Sequence, residues 1–332
     1  MKRTKLLLAK QNTYADKDTF TLIEENIDNL KNGYIRVSVS LISIEPAMSG
    51  WIVNRTNYMP TLNIGDIMHA FAIGSVIESN HRNFKIGDRV TGNLGCQTLA
   101  DINPEETELD KTIPLNISDE LAVSACGLTG LTAYFGLQKI GNLKKSDTVV
   151  VSAAAGAVGS IAGQLAKIVG CHVIGIVGSQ EKKDLIIDEF NYDNAVNYKA
   201  EDFKEQLNKA TPNGIDVYFD NVGGPILNYC LARLNKQARI VLCGAISNYN
   251  SDKPMTGPSN YFNLVYQSAS MQGFIVLDYK AEFNDARKII SSYIDQNKII
   301  YRTEVFEGLT AIPDALQHMF EGKNKGKVLV KV

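Results

Sequence analysis

The stretch Thr148-Val149-Val150-Val151-Ser152-Ala153-Ala154-Ala155-Gly156-Ala157-Val158-Gly159-Ser160 constrains the fold more than any other part of the chain. Its β-favouring residues run directly into small ones and then into an apolar helical pattern, Ile161 to Val169. Such a run folds as strand, tight turn and helix. Within the turn, Ala154, Gly156 and Gly159 fall at the spacing of a dinucleotide-binding fingerprint, with alanine in place of the first glycine. Gly156 lets the backbone approach a pyrophosphate, and Gly159 lets the helix pack close to its strand. The free N–H groups at the helix start meet the anion. A strand-to-helix corner that needs small residues and binds nothing has the same letters, so the residues that follow decide between the two.

Those residues alternate. After the opening unit come a strand His172 to Val177, a helix Glu181 to Phe190, a short strand around Ala195-Val196-Asn197 and a helix near Asp202 to Lys209. A strand Ile215 to Asp220, a helix Pro225 to Leu234, a strand Arg239 to Cys243, a helix near Tyr261 to Gln267 and a strand Met271 to Val276 continue the pattern. Strands joined by helical crossovers imply an α/β fold with a doubly wound parallel sheet, covered on both faces. The preceding residues are strand-rich, with runs such as Tyr34 to Ile42 and Phe71 to Ile77 divided by Gly, Asn, Pro and Asp, and predict a separate β-rich domain. The tail reads as a helix Ala281 to Asn297, then strand, helix and a last strand Lys327 to Val332. The expected division is 1–122 for the β-rich domain, 123–298 for the doubly wound domain, and 299–332 as a return to the first.

Composition removes several function classes. A net charge of −2 over 332 residues, with lysines scattered, offers no nucleic-acid or anionic membrane surface, so the expected partner is a small molecule. No apolar run reaches membrane-spanning length, and Leu6-Leu7-Leu8 is too short for a secretory segment. The five cysteines, Cys96, Cys126, Cys171, Cys230 and Cys243, are odd in number and widely spaced, which predicts core thiols in a reducing cytoplasm. No local motif assembles a metal site, because His69, His81, His172 and His318 lack a ligand spacing and no two cysteines are within four residues of each other.

The end of the second strand of the wound domain selects the cofactor. A unit for NAD usually ends that strand on Asp or Glu, whose carboxylate accepts hydrogen bonds from the adenosine ribose hydroxyls. Here Val173-Ile174-Gly175-Ile176-Val177 is followed by Gly178-Ser179-Gln180-Glu181-Lys182-Lys183, and the acid is missing. A carboxylate there would repel a 2′-phosphate, whereas Ser179 can donate a hydrogen bond to one and Lys182 can supply positive charge. This favours NADP, although Lys182 and Lys183 also suit a solvated helix face.

With those residues stand several longer strings: Gly130-Leu131-Thr132-Ala133-Tyr134-Phe135-Gly136, Asn197-Tyr198-Lys199, Gly214-Ile215-Asp216-Val217-Tyr218-Phe219-Asp220-Asn221-Val222-Gly223-Gly224, Cys243-Gly244-Ala245-Ile246-Ser247 with Tyr249-Asn250, Gly273-Phe274-Ile275-Val276, and Asn324 with Gly326-Lys327. Across nearly its whole length the chain resembles the zinc-independent medium-chain dehydrogenase/reductases, in the branch of the leukotriene B4 dehydrogenases, prostaglandin reductases and alkenal double-bond reductases. The resemblance implies a GroES-like first domain and a Rossmann second domain, with NADPH in the cleft, and a homodimer. It places Ala157 and Val158 on the pyrophosphate turn, Lys182 and Tyr198 at the 2′-phosphate, and Asn221 and Asn324, the latter with Gly326, near the phosphates and ribose. It sets Cys243, Gly244, Ala245, Ile246 and Ser247, with Phe274, Ile275 and Val276, beside the nicotinamide half. Read alone, Asn221 could be turn, Asn324 a strand start and Phe274 core.

The activity the resemblance implies is reduction of the C=C bond of an α,β-unsaturated aldehyde or ketone by hydride transfer to the β-carbon. Negative charge then collects on the carbonyl oxygen, where a hydrogen-bond donor stabilises the transition state more than the ground state. The family position for that donor corresponds to Tyr266; Tyr249 is the second candidate, with a ribose or structural contact as its alternative. Zinc-dependent relatives carry a Gly-His-Glu string where this chain has Ile64-Gly65-Asp66-Ile67. Departures from the branch pattern fall at Ala47, Ser49, Trp51, Cys96, Leu128 and Thr129, so the substrate transfers less readily than the cofactor. An NADPH:quinone oxidoreductase of the same superfamily and a non-catalytic NADPH-binding sensor are the competing readings.

Overall fold

The computed structural model describes residues 1–13, 15–54, 59–111, 113, 116–249 and 256–332. The chain divides into two compact units, Met1–Ser124 with Thr303–Val332, and Ala125–Arg302.

The first unit is built on antiparallel strands. β1 (Lys2–Leu8) pairs with β2 (Phe20–Asn26), and the larger sheet contains β3 (Ile35–Ser43), β4 (Phe71–Ser79), β5 (Arg89–Asn93), β6 (Leu99–Ile102) and β7 (Leu109–Asp110). β3 is central, pairing with β4, β6 and the last strand of the chain, and its Ile35, Val37, Val39, Leu41 and Ile42 are all buried. Two short helices, α1 (Met48–Ile52) and α2 (Asp119–Val123), complete this part of the chain. Trp51 on α1 is 1 % exposed and stands edge-on to His69 and Phe71, at ring separations of 6.3 and 6.2 Å. It fills the core of this unit, together with buried Met48 and Cys96.

The second unit opens with α3 (Leu128–Phe135), which runs on as a π-helix over Gly136–Gly141. It continues as β8 (Thr148–Ser152), α4 (Ala157–Val169), β9 (His172–Val177), α5 (Gln180–Asp188), β10 (Asn194–Asn197), α6 (Phe203–Ala210), β11 (Ile215–Asp220), α7 (Gly224–Leu231), β12 (Leu234–Leu242), α8 (Ile246–Tyr249), α9 (Asn263–Gln267), β13 (Ser270–Gly273) and α10 (Phe283–Asp295). The strands form a parallel sheet in the order β10-β9-β8-β11-β12-β13. The chain winds outward from β8 to β10, then resumes at β11 on the other side of β8. That reversal opens a crevice at the carboxyl ends of β8 and β11, the place where wound sheets receive ligands. The first unit is then completed by β14 (Thr303–Glu307), α11 (Ile312–Phe320) and β15 (Lys327–Lys331). β15 pairs antiparallel with β3, Val330 lying opposite Ile42. Lys327, 3 % exposed, donates to Ile44 O and Glu45 Oε1, both at 2.8 Å, and pins the last strand to the end of β3.

The doubly wound α/β unit and the β-rich unit agree with the sequence expectation of fold class; several boundaries differ. The helix Leu128–Phe135 and its π continuation were not anticipated. The helix expected over Pro225 to Leu234 stops at Leu231, and β12 begins at Leu234, because a register shift and a left-handed Gln237 (φ +60°) admit extra residues to the strand. β13 ends at Gly273 rather than Val276, where a 3₁₀ turn over Val276–Glu282 leads into α10. The strand expected from Ile299 starts at Thr303, since Ile299 is buried and Ile300 N donates to Gln164 Oε1 at 2.7 Å, both within the second unit.

Candidate cofactor site

The three small residues of the fingerprint turn do different work. Ala153, directly after β8, is left-handed (φ +50°), and Gly156 is the N-cap of α4 with no side chain capping the helix and no acid in its first turn. A Cβ on Gly159 would stand 2.4 Å from Ala153 O, so glycine there is required by the contact of helix with turn. A Cβ on Gly156 would meet only Ala153 O, at 3.2 Å, which leaves the other side of that position open. Uncapped N–H groups at Ala157 and Val158, a helix of 13 residues behind them and a glycine at the cap suit an anion.

At the end of β9, Gly178 stands where an NAD-binding unit carries its carboxylate. Ser179 caps α5, its Oγ accepting from Lys182 N at 3.2 Å, which leaves its own proton to donate. Tyr198 N donates to Val177 O at 3.0 Å, and the exposed Tyr198 ring lies against Gly178, whose Cβ would be 2.9 Å from Tyr198 Cε1. Gly178, Ser179, Lys182 and Tyr198 therefore come together, and Lys199 Nζ lies 5.8 Å from the centre of the Tyr198 ring.

Across the crevice, the turns after β11 and β12 are laced to one another. Ile246 N donates to Asn221 O at 3.3 Å and Ser247 N to Val222 O at 3.2 Å. Ser247 Oγ also donates to Val222 O, at 2.6 Å. Tyr249 Oη accepts from Ala245 N at 3.2 Å, which ties the phenol to this turn, and burial raises its pKa, so the group keeps its proton. Burial likewise pushes the Cys243 thiol up to about 12. A Cβ on Gly244 would be no nearer than 3.4 Å to Asn221 O and Tyr249 Oη. The half-buried Phe274 packs on Gly136 and Phe219, Ile275 is exposed, and Val276 begins the 3₁₀ turn.

Other expected residues stand apart. Tyr266, on α9, is 66 % exposed; its ring meets Phe262 edge-on at 5.3 Å, and its carbonyl accepts from Lys236 Nζ at 3.4 Å. Most of the side chain is therefore uncovered within this unit. Asn324 and Gly326 belong to the first unit, where Asn324 Nδ2 donates to Gly326 O at 2.9 Å and Gly326 is left-handed (φ +97°), shaping the turn before β15. Asn250 lies outside the described residues. Among the described residues, no three His, Cys, Asp or Glu side chains gather as metal ligands would, and no helix is long and apolar enough to cross a membrane.

Residues 157–292 match the zinc-binding dehydrogenase family, and residues 3–109 match the N-terminal domain of oxidoreductase family. The chain is 38% identical to prostaglandin reductase 1 of Sus scrofa over 325 residues, 96% of this chain and 95% of the relative. The 2-alkenal reductase (NADP(+)-dependent) of Nicotiana tabacum is 38% identical over 280 residues, 83% of this chain and 80% of its own. The chain belongs to the medium-chain dehydrogenase/reductase family. Among solved structures, CurA of Vibrio vulnificus in complex with NADPH superposes on this medium-chain reductase with a TM-score of 0.92 at 35% identity, covering 99% of each chain.

A phosphorylated dinucleotide fits the residues present in this reductase. The open glycine cap of α4 offers N–H donors to a pyrophosphate, and the end of β9 offers a hydroxyl, a lysine and a tyrosine without the carboxylate that would repel a third phosphate. Sequence reasoning passed over Ser152, Tyr218 and Asp220, which meet beneath the crevice. Their signal was an acid as the last residue of a strand, directly after the buried run Val217-Tyr218-Phe219.

Proposed function

We propose that this chain is an oxidoreductase that reduces the C=C bond of α,β-unsaturated aldehydes and ketones with NADPH and without zinc. The observation that carries the reading is the likeness, at 38% identity over nearly the whole chain, to a reductase family whose members include an NADP-dependent 2-alkenal reductase. When bound, NADPH supplies the hydride that the β-carbon of the substrate receives. The unit Ala125–Arg302 holds it: Gly156, Ala157, Val158 and Gly159 at the pyrophosphate, and Gly178, Ser179, Lys182 and Tyr198 at the 2′-phosphate. Asn221 lies near the phosphates and ribose, and the run Cys243 to Ser247 with Phe274 to Val276 serves the nicotinamide half.

Tyr266 is the donor to the carbonyl oxygen on which charge collects, and its exposed phenol is supported in that role by having no buried packing to satisfy. Tyr249 is the second candidate, and its bond from Ala245 N supports a structural part for it in this turn. Among the described residues no three His, Cys, Asp or Glu side chains gather into a ligand set, which supports a reaction in which hydrogen bonds alone polarise the carbonyl. The five unpaired cysteines support a reducing compartment, the cytoplasm. We infer a homodimer as well. Among the described residues β13 is hydrogen-bonded on one side only, by β12, and Tyr261, Phe262, Val265 and Ile275 beside it are exposed.

The test is NADPH oxidation across a panel of alkenals, enones and quinones. Fastest turnover is expected with an alkenal or enone. Faster quinone turnover would assign a quinone oxidoreductase, and tight NADPH binding with no oxidation would assign a sensor.

A further inference from the structure

Asp220 is the last residue of β11 and is 1 % exposed. Its Oδ1 accepts four hydrogen bonds: from Tyr218 Oη at 2.8 Å, Ser152 Oγ at 3.2 Å, Val222 N at 3.0 Å and Gly223 N at 2.9 Å. Its Oδ2 is buried and, among the described residues, has no partner. The main-chain oxygen of the same residue accepts from Cys243 N at 2.9 Å and Gly244 N at 3.0 Å. Ser152, at the end of β8, closes the network: its Oγ accepts from Asn221 N at 2.9 Å, and its carbonyl accepts from Asn221 Nδ2 at 2.7 Å. One residue therefore joins the carboxyl ends of three adjacent strands, β8, β11 and β12.

The turn it holds has little structure of its own. Gly223 and Gly224 are both left-handed, at φ +69° and +56°, and the N–H groups that would otherwise be orphaned there point at the carboxylate. A carboxylate that is buried is costly, and burial raises the pKa of this one despite its four donors. Loss of the acceptor would strand two backbone donors and the Tyr218 hydroxyl at once and leave Ser152 Oγ only Phe219 O, at 3.4 Å, and the turn would lose its fixed shape.

We propose that Asp220 is a positioning residue of the dinucleotide site: without touching the ligand, it fixes the turns after β11 and β12 that receive the nicotinamide half. This rests on the NADPH reading above. Its specificity for one half of the ligand follows from the strand order, β10-β9-β8-β11-β12-β13, in which β9 and β10 lie on one side of the crevice and β11 and β12 on the other. The adenosine end, at Gly178, Ser179, Lys182 and Tyr198, receives no bond from Asp220.

The experiment is calorimetric titration of the full chain, as wild type, Asp220→Ala, Asp220→Asn and Ser152→Ala, with NADPH and separately with 2′,5′-ADP, which carries the adenosine end alone. Asp220→Ala should raise the NADPH Kd about tenfold or more, and Asp220→Asn, which keeps one acceptor oxygen, should raise it less. All variants should bind 2′,5′-ADP within about twofold of wild type. If Asp220→Ala does not fold, Asp220→Asn and Ser152→Ala decide, each with weakened NADPH binding and unchanged 2′,5′-ADP binding. NADPH affinity unchanged in a folded variant, or the two ligands weakened in parallel, overturns the proposal while leaving the NADPH reading intact. A wild type that binds neither ligand overturns that reading and this proposal together.

Discussion

Gly156, Gly159 and Gly163 lie along α4, yet packing demands glycine at only two of them. A Cβ on Gly163 would stand 2.0 Å from Tyr192 Cζ, and the hydroxyl of that buried tyrosine donates to Gly159 O at 2.7 Å. Gly163→Ala should therefore destabilise the protein by about 1–3 kcal/mol, read from the urea midpoint, because Tyr192 has no room to retreat. Lys182→Ala should leave the fold intact and lower the preference for NADPH over NADH by about tenfold, measured as the ratio of the two Kd values. An unchanged ratio would remove Lys182 from the 2′-phosphate site. The thiols offer a pH test. Burial pushes Cys126 and Cys171 up to about 11 and Cys243 up to about 12. At pH 8 all three remain thiols in the folded protein, so iodoacetamide should label them only after denaturation. In the unfolded chain they ionise from about pH 8.5, so their contribution lowers stability as pH rises above that value. At this scale the sequence disclosed the motif glycines and the missing acid after Val177. It did not disclose Asp220, because a carboxylate in a buried network is distinguished by its partners, which come from β8 and β11 together.

On and just before α9, Tyr261, Phe262, Val265 and Tyr266 are all more than half exposed. If β13 is the edge at which two copies meet, Val265→Asp should give a monomer by sedimentation at concentrations where wild type is a dimer, with no loss of thermal stability beyond that of dissociation. In the first unit, α1 is held by Trp51, and Trp51→Ala should cost about 3–5 kcal/mol in urea unfolding. The elements of strong period, such as α4, α11 and β8, could be read from the chain because apolar spacing alone sets them. α3 with its π continuation, the early start of β12 and the early end of β13 could not. The first is apolar almost all round, and the others depend on a bulge and a 3₁₀ turn that the register of neighbouring strands decides.

For the molecule as a whole, the alternation of strand and helix was enough to predict the wound sheet, since right-handed crossovers leave few other topologies. The pairing of β15 with β3 joins residues 283 or more apart in sequence through Lys327 and Ile44; the strand-helix-strand pattern of the tail predicted its return to the first unit, but local pattern does not encode which strand it meets. The proposed reaction requires that hydride reach the β-carbon of a conjugated carbonyl compound and that the carbonyl survive. The direct measurement is product analysis by NMR after turnover of an alkenal with NADPH deuterated at the transferable C4 position. The account predicts a saturated aldehyde with deuterium at the β-carbon. Deuterium at the carbonyl carbon, in an allylic alcohol, would contradict it.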